Sequence, residues 1–571
     1  MTVTTPPDRY DSDPVWVAQY PPGVPARVDV PEVSLGDVLR QAVDRHGSHP
    51  AIDFYGSVTT YEKLADEVHR AARALLDLGV GKGDRVAIAL PSCPQAVVAF
   101  YAVVEVGAIA VELNPLYTHD ELEHTFTDHG ARVAIVWDKL ADVIASMPVE
   151  GLQVLTVDVT RDLPRTKRWA LRLPVPAARR TRAALTARTS VGTPWHRVVA
   201  AVRDTSPLEA RATGEDVAVL LYTGGTTGVP KAAMLTHRNL AANVEQSAAW
   251  VPELRHGEEV FYGILPMFHA YGVMLCILSA VRVGACTVLF PRFDVDQVIE
   301  AMGRRPATFL PGVPPIYDQL ARAAEEGRVD LTSIRWGLSG AMPLPPELVE
   351  RFERLSGGTL VEGYGMTETS PITVGNPVGP TRRPGSVGVP FPSTEVRVVD
   401  PEDPSTDRPT GEPGELLVRG PQVFVGYWNR PEETERVLLG DGWLRTGDVA
   451  TIDAAGFVTI VDRLKDLIIT GGFNVHPSEV EDVLRTHSSV EDVAVVGLPG
   501  TAGSEDVVAA VVLADGHDLD VAVLRAHARE HLAGYKVPRD AVVVEDLPRS
   551  AIGKVLHKDV RADVAARLKR R

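Results

Sequence analysis

The sequence predicts an α/β protein: a large amino-terminal part of mostly parallel sheets, then a smaller α+β part. Three observations predict it. Strand-like apolar runs alternate with amphipathic helical runs from about Ser34 to Val136, and again from Asp216 to about Val398. At 571 residues the chain exceeds what one core usually supports. After Lys465 the pattern shortens to a compact helix–strand–strand–helix unit. The predicted domains are 1–464 and 465–571.

Each element has a local signal. Ser34–His46 is predicted helical, with Ser34 as N-cap and Val38, Leu39 and Val43 on one face. Thr60–Leu78 follows the same logic, with Leu64, Val68, Ala72 and Leu75 spaced for burial. Asp84–Leu90 is a buried strand after the turn Gly81-Lys82-Gly83, and Ala108–Glu112 is another. Pro401–Pro413 is a loop between β-rich stretches, with strands at Glu415–Arg419 and Phe457–Val461. The carboxyl-terminal unit holds helices at Pro477–Thr486 and Val521–Leu532. Its strands are Val490–Val496 and Val507–Val512.

Two long apolar stretches are readable as membrane spans or as core. Ala96–Ala110 is short and contains Glu105; Tyr271–Phe290 carries Arg282 and two glycines. Both read as buried elements, because a bilayer asks for about 20 uninterrupted apolar residues. The start, MTVTTPPDRYDSDP, has no basic stretch leading into an apolar one, and a cytoplasmic enzyme is expected. Three cysteines, Cys93, Cys276 and Cys286, form neither a disulfide framework nor a zinc pattern. A net charge of −17 excludes general nucleic-acid binding. One segment runs against that charge. Arg161–Arg197 carries ten Arg or Lys against the single Asp162, with Trp169, Leu171, Leu173 and Trp195 interleaved. It reads as a solvated surface insertion or as a contact with anionic lipid on the inner face of a membrane.

The chemistry concentrates in Thr223-Gly224-Gly225-Thr226-Thr227-Gly228-Val229-Pro230-Lys231, which follows a strand-like run. The glycines admit close backbone approach to phosphate oxygens, the threonines add hydroxyls and Lys231 adds a charge. The spacing is not that of a Walker A loop, since Gly224 and Gly228 are too close and Ala232 follows the lysine.

This loop resembles that of the adenylate-forming superfamily, which includes the acyl-CoA synthetases. Five further strings resemble that family's motifs, in its order. They are PMFHAYG at 266–272, YGMTET at 364–369, RTGD at 445–448, DRLKD at 462–466 and PRSAIGK at 548–554. The resemblance covers about residues 34–560 and implies ATP, Mg²⁺ and coenzyme A. It assigns Thr223 through Gly228 and Lys231 to the phosphates. Ser339, Gly340, Ala341, Gly363, Tyr364 and Gly365 would frame adenine, and Asp448 and Arg463 the ribose side. Glu368 and Thr223 would face Mg²⁺, and Thr367 the α-phosphate. His269 would lie between the acyl pocket and the pantetheine channel.

The family rotates a small mobile carboxyl-terminal domain between half-reactions. Here the pivot maps to Lys465, the adenylation lysine to Lys554, and the pantetheine-side loop to Gly471 and Gly472. Pro14–Ala26 and Asn114–Thr118 resemble bacterial long-chain fatty acid–CoA ligases. No acidic group in FHAYG or FLPGVPP suits an amino-acid head group. The acyl pocket is expected between Tyr271–Met274, Phe309–Pro314, Ser339–Met342 and Met366–Pro371. The alternatives are an aryl- or medium-chain ligase, an acyl-AMP ligase loading a carrier protein, and an inactive lipid-binding protein. A homodimer stays open.

Overall fold

A computed structural model describes residues 13–209, 211–223, 230–470, 473–500, 505–518, 520–550 and 553–570. Their contacts define two units. One runs to Glu395 and includes Val418–Leu444; the other joins Val396–Leu417 to the chain from Arg445.

In the first unit the helix ends are fixed as the sequence predicts. The Ser34 hydroxyl accepts from Asp37 N, and the Asp37 carboxylate accepts from Ser34 N at 2.8 Å, starting the helix Leu35–His46. Thr60 caps Tyr61–Asp77 in a similar way. The apolar stretch at 96–110 is the buried helix Pro94–Val106 followed by the strand Ile109–Glu112. The stretch at 271–290 is also core. It contains a π-helical segment, Val273–Ser279, and the strand Cys286–Leu289. No described helix is long and apolar enough to cross a membrane. All three cysteines are buried and free.

Two large sheets result. One has seven strands in the order Thr193–Pro194, Gln153–Val157, Val133–Trp137, Arg85–Ala89, Ile109–Glu112, Val217–Thr223, Lys231–Thr236. Its pairs are parallel except the last. The other has nine strands. Its parallel centre sets Val260–Gly263, Phe309–Gly312, Trp336–Ser339 and Thr359–Gly365 side by side. Parallel strands put all their carboxyl ends on one edge, where open α/β sheets bind ligands.

The basic insertion forms two short helices, Arg165–Ala170 and Pro176–Leu185, and neither buries a single residue. Trp169 is 71% exposed, Leu173 45% and Val175 46%.

The second unit holds the antiparallel pair Leu444–Ile452 and Val458–Arg463. It also holds a three-stranded sheet of Val490–Pro499, Glu505–Leu513 and Asp540–Val543. Val480, Leu484, Leu524 and Ala528 cover one face of that sheet, and Val560 and Val564 the other.

Candidate active site

The predicted phosphate loop spans a β-hairpin whose stem pairs Thr223 with Lys231. The Thr223 hydroxyl donates to Lys231 O at 3.5 Å. Gly224, Gly225, Thr226, Thr227 and Gly228 lie outside the described residues. The stem puts Lys231 in a specific company. Its ammonium pairs with the Glu433 carboxylate and lies 5.3 Å from the centre of the Tyr427 ring. The Tyr427 hydroxyl donates to Glu368 Oε1 at 2.6 Å. Burial lowers the Lys231 pKa, and the negative charge of Glu368 opposes that fall. The stem lysine and the signature glutamate therefore occupy one neighbourhood.

Glu368 is held from its backbone as well. It sits in the tight turn Thr367–Thr369, and its carbonyl accepts from Phe424 N at 2.9 Å. The approach of this turn demands glycine at 365, since a Cβ there would lie 1.8 Å from the Pro371 carbonyl oxygen. The side chain of Glu368 is 6% exposed, so its charge depends on few partners.

The adenine-side segments leave neighbouring strands at the same edge. Ser339 stands opposite Glu362, so Ser339–Ala341 and Gly363–Gly365 emerge side by side. Gly340 N donates to Gly312 O at 3.3 Å, and Ala341 takes a positive φ of 67°. A Cβ on Gly340 would come within 3.2 Å of the Tyr271 ring. Tyr271 is anchored by its hydroxyl, which donates to Leu338 O at 2.8 Å. His269 caps that turn, its Nδ1 accepting from Tyr271 N at 3.3 Å.

In the second unit, Asp448 and Arg463 are partners across the antiparallel pair, with Arg463 Nε 3.1 Å from Asp448 Oδ1. Lys554 shares their surroundings. Burial above all, then the neighbouring Arg463, lowers its pKa to about 8, and Asp448 works in the opposite sense. Lys465 lies exposed in the turn after Arg463. Gly471 and Gly472 are outside the described residues.

Below the adenine edge the first unit contains a small apolar cavity, partly open to solvent. Strand beginnings line it through Phe261, Phe309, Trp336 and Thr359, with Leu338 and Val361 further up. The helix His237–Trp250 and the π-helical segment supply Trp250, Leu275 and Ser279. Of the segments expected to border an acyl pocket, Phe309 alone lines this cavity; Tyr271–Met274, Ser339–Met342 and Met366–Pro371 contribute no residue to its lining. Trp250, Trp336 and Phe391 line the cavity without any signal in the motifs. Tyr427 and Glu433 were likewise unmarked; the only hint is Gly426, whose φ of 137° fixes the turn before Tyr427.

Residues 39–428 match the AMP-binding enzyme family, and 479–554 match the AMP-binding enzyme C-terminal domain. A long-chain-fatty-acid–CoA ligase of Bacillus subtilis (strain 168) is 38% identical over 545 residues, covering 95% of this chain and 97% of that protein. A feruloyl-CoA synthase of an Amycolatopsis species is 36% identical, covering 92% and 97%. The crystal structure of ATP-bound MatB from Rhodopseudomonas palustris superposes with a TM-score of 0.80 at 31% identity, covering 93% and 99%.

The chain belongs to the AMP-binding, adenylate-forming enzymes. Within them it is an AMP-forming acid–thiol ligase, similar over nearly its whole length to the fatty acid–CoA ligases.

Proposed function

We propose that this ligase activates a medium- to long-chain fatty acid as its acyl-AMP and passes the acyl group to coenzyme A. The observation that carries the alkyl substrate is the apolar lining of the cavity. It follows the central strand from Trp336 to Leu338, beneath Gly340 at the adenine edge. The lining is almost wholly apolar, so nothing there rewards a charged tail.

In the first half-reaction a carboxylate oxygen attacks the α-phosphorus of ATP and pyrophosphate leaves. Both reactants are anions, so cations must offset their repulsion. Lys231 faces the departing phosphates, and Lys554 bridges the carboxylate and the α-phosphate. Thr367 donates its hydroxyl to the same phosphate. Asp448, steadied by Arg463, accepts from the ribose hydroxyls.

A buried carboxylate and a hydroxyl are hard oxygen donors, so Glu368 and Thr223 suit Mg²⁺, with phosphate oxygens completing its shell. When bound, Mg²⁺ supplies charge neutralisation at the phosphates. In the second half-reaction the thiol of CoA attacks the acyl carbonyl and AMP leaves. Rotation about Lys465 would withdraw Lys554 and bring the loop of Gly471 and Gly472 to the pantetheine, past His269.

AMP release in the presence of CoA, measured across acids from acetate to oleate plus benzoate and ferulate, tests the substrate. The rate should be greatest for medium to long straight chains. A maximum at benzoate or ferulate would move the assignment to the aryl ligases. Activity with a holo-carrier protein but none with CoA would make it a carrier-loading enzyme.

The same proposal includes a seat on the inner membrane surface for a cytoplasmic enzyme. Two helices without a buried residue, with exposed Trp169 on the first and exposed Leu173 and Val175 between them among arginines, fit the interface of an anionic bilayer. Replacing Arg179, Arg180 and Arg182 by Gln should weaken sedimentation with phosphatidylglycerol vesicles several-fold. Unchanged sedimentation would leave the insertion as a solvated surface feature.

A further inference from the structure

We propose that Glu433 is a carboxylate latch on the phosphate-loop lysine: it holds Lys231 in the nucleotide-free enzyme and must release it when a nucleoside triphosphate enters. This rests on the reading of Lys231 as a phosphate ligand. Lys231 ends the hairpin stem, only 12% exposed in its side chain, and its ammonium forms an ion pair with Glu433. Glu433 lies on the helix Pro431–Val437, one turn after the Gly426–Asn429 bend. That bend is tied to the strand of Lys231 itself. Trp428 N donates to Ala232 O at 2.9 Å, and Met234 N donates to Gly426 O at 2.9 Å. The carboxylate is therefore delivered by a rigid connection and not by a wandering loop.

Glu433 also has another cation within reach. Arg430 Nε lies 3.9 Å from its carboxylate, and Arg430 pairs with Asp128 at 3.4 Å. A carboxylate between two cations can give up one and keep the other, which makes displacement inexpensive. The rival anion, a triphosphate tail, carries several charges against the single one of Glu433. It wins Lys231 on contact, and Glu433 relaxes towards Arg430. Until then the latch keeps a half-buried ammonium from standing uncompensated beside the Tyr427 ring. Lys231 and Glu368 are each paired, through Glu433 and Tyr427 respectively. The cost falls on nucleotide affinity, because each binding event breaks one ion pair.

The test is MgATP binding to the full-length enzyme by calorimetry, comparing the wild type with Glu433→Gln and Glu432→Gln. Glu432 is an exposed neighbour on the same turn, so its variant removes the same formal charge without touching the pair. Glu433→Gln should tighten MgATP about three- to tenfold relative to Glu432→Gln, mostly through a lower KM for ATP. Equal affinities in the two variants would overturn the latch. Weaker binding in Glu433→Gln would also overturn it, and would make Glu433 a ligand of the magnesium–phosphate group. If the wild type itself bound no MgATP while remaining folded, the nucleotide reading would fail and the latch with it.

Discussion

The two ends of the central strands in the first unit face opposite chemical problems. At their carboxyl ends Ser339–Ala341 and Gly363–Gly365 open into turns rich in glycine and hydroxyl groups, with Glu368 just beyond. At their beginnings Phe309, Trp336 and Thr359 close on an apolar cavity under a helix. In the proposed reading, one end holds a polyanion with backbone and charge, and the other takes an alkyl chain against an apolar surface. Tyr271 stands at the junction, bonded to Leu338 and packed on Gly340. The difference teaches that reactivity and selectivity are set by separate residues on the same strands and can be changed independently.

The comparison breaks most sharply at Lys554. Lys554→Ala should reduce carboxylate-dependent pyrophosphate exchange by roughly a hundredfold or more, for every acid alike, with folding unaffected. A loss confined to long acids would place Lys554 with the cavity. Proton titration gives the next largest effect. In the proposed role Lys554 acts while protonated, and its pKa is lowered from 10.5 to about 8. Adenylation, followed as kcat/KM for the acid, should be flat below that value and fall roughly tenfold per unit above it. Lys554→Arg, slower overall, keeps its charge and should lose this alkaline limb.

The apolar end is sharpened by filling it. Val361→Phe projects a ring into the cavity from the middle of a central strand. It should lower kcat/KM for palmitate about tenfold and leave octanoate within about threefold. Equal losses for both acids would mean that the chain lies elsewhere. Tyr427→Phe tests the polar end more gently. Without its hydroxyl, Glu368 loses a 2.6 Å hydrogen bond, and kcat should drop about five- to tenfold with the chain-length profile unchanged.

The contrast also explains what the sequence made legible. The candidate polar residues were readable because they fall in consecutive stretches of chain, at 223–231, 364–368 and 445–448. Helix starts were readable for the same local reason, as the caps at Ser34 and Thr60 show. The cavity was not. Its walls come from Trp250, Phe261, Trp336 and Phe391, far apart along the chain and brought together only by strand order. No periodicity distinguishes an aromatic that lines a cavity from one that fills a core. The π-helical turn at Val273–Ser279 was equally hidden, since an apolar run fits any helix type. Tyr427 and Glu433 escaped because their meaning lies in partners some 60 and 200 residues away, Glu368 and Lys231.

The most direct measurement follows oxygen. Palmitate labelled with ¹⁸O in both carboxylate positions, incubated with ATP and CoA, should transfer one labelled oxygen to AMP. The carboxylate oxygen that joins the α-phosphorus must leave with AMP when the thiol takes the acyl group. Label in pyrophosphate or phosphate, or unlabelled AMP formed together with thioester, would contradict attack of the acid on the α-phosphorus.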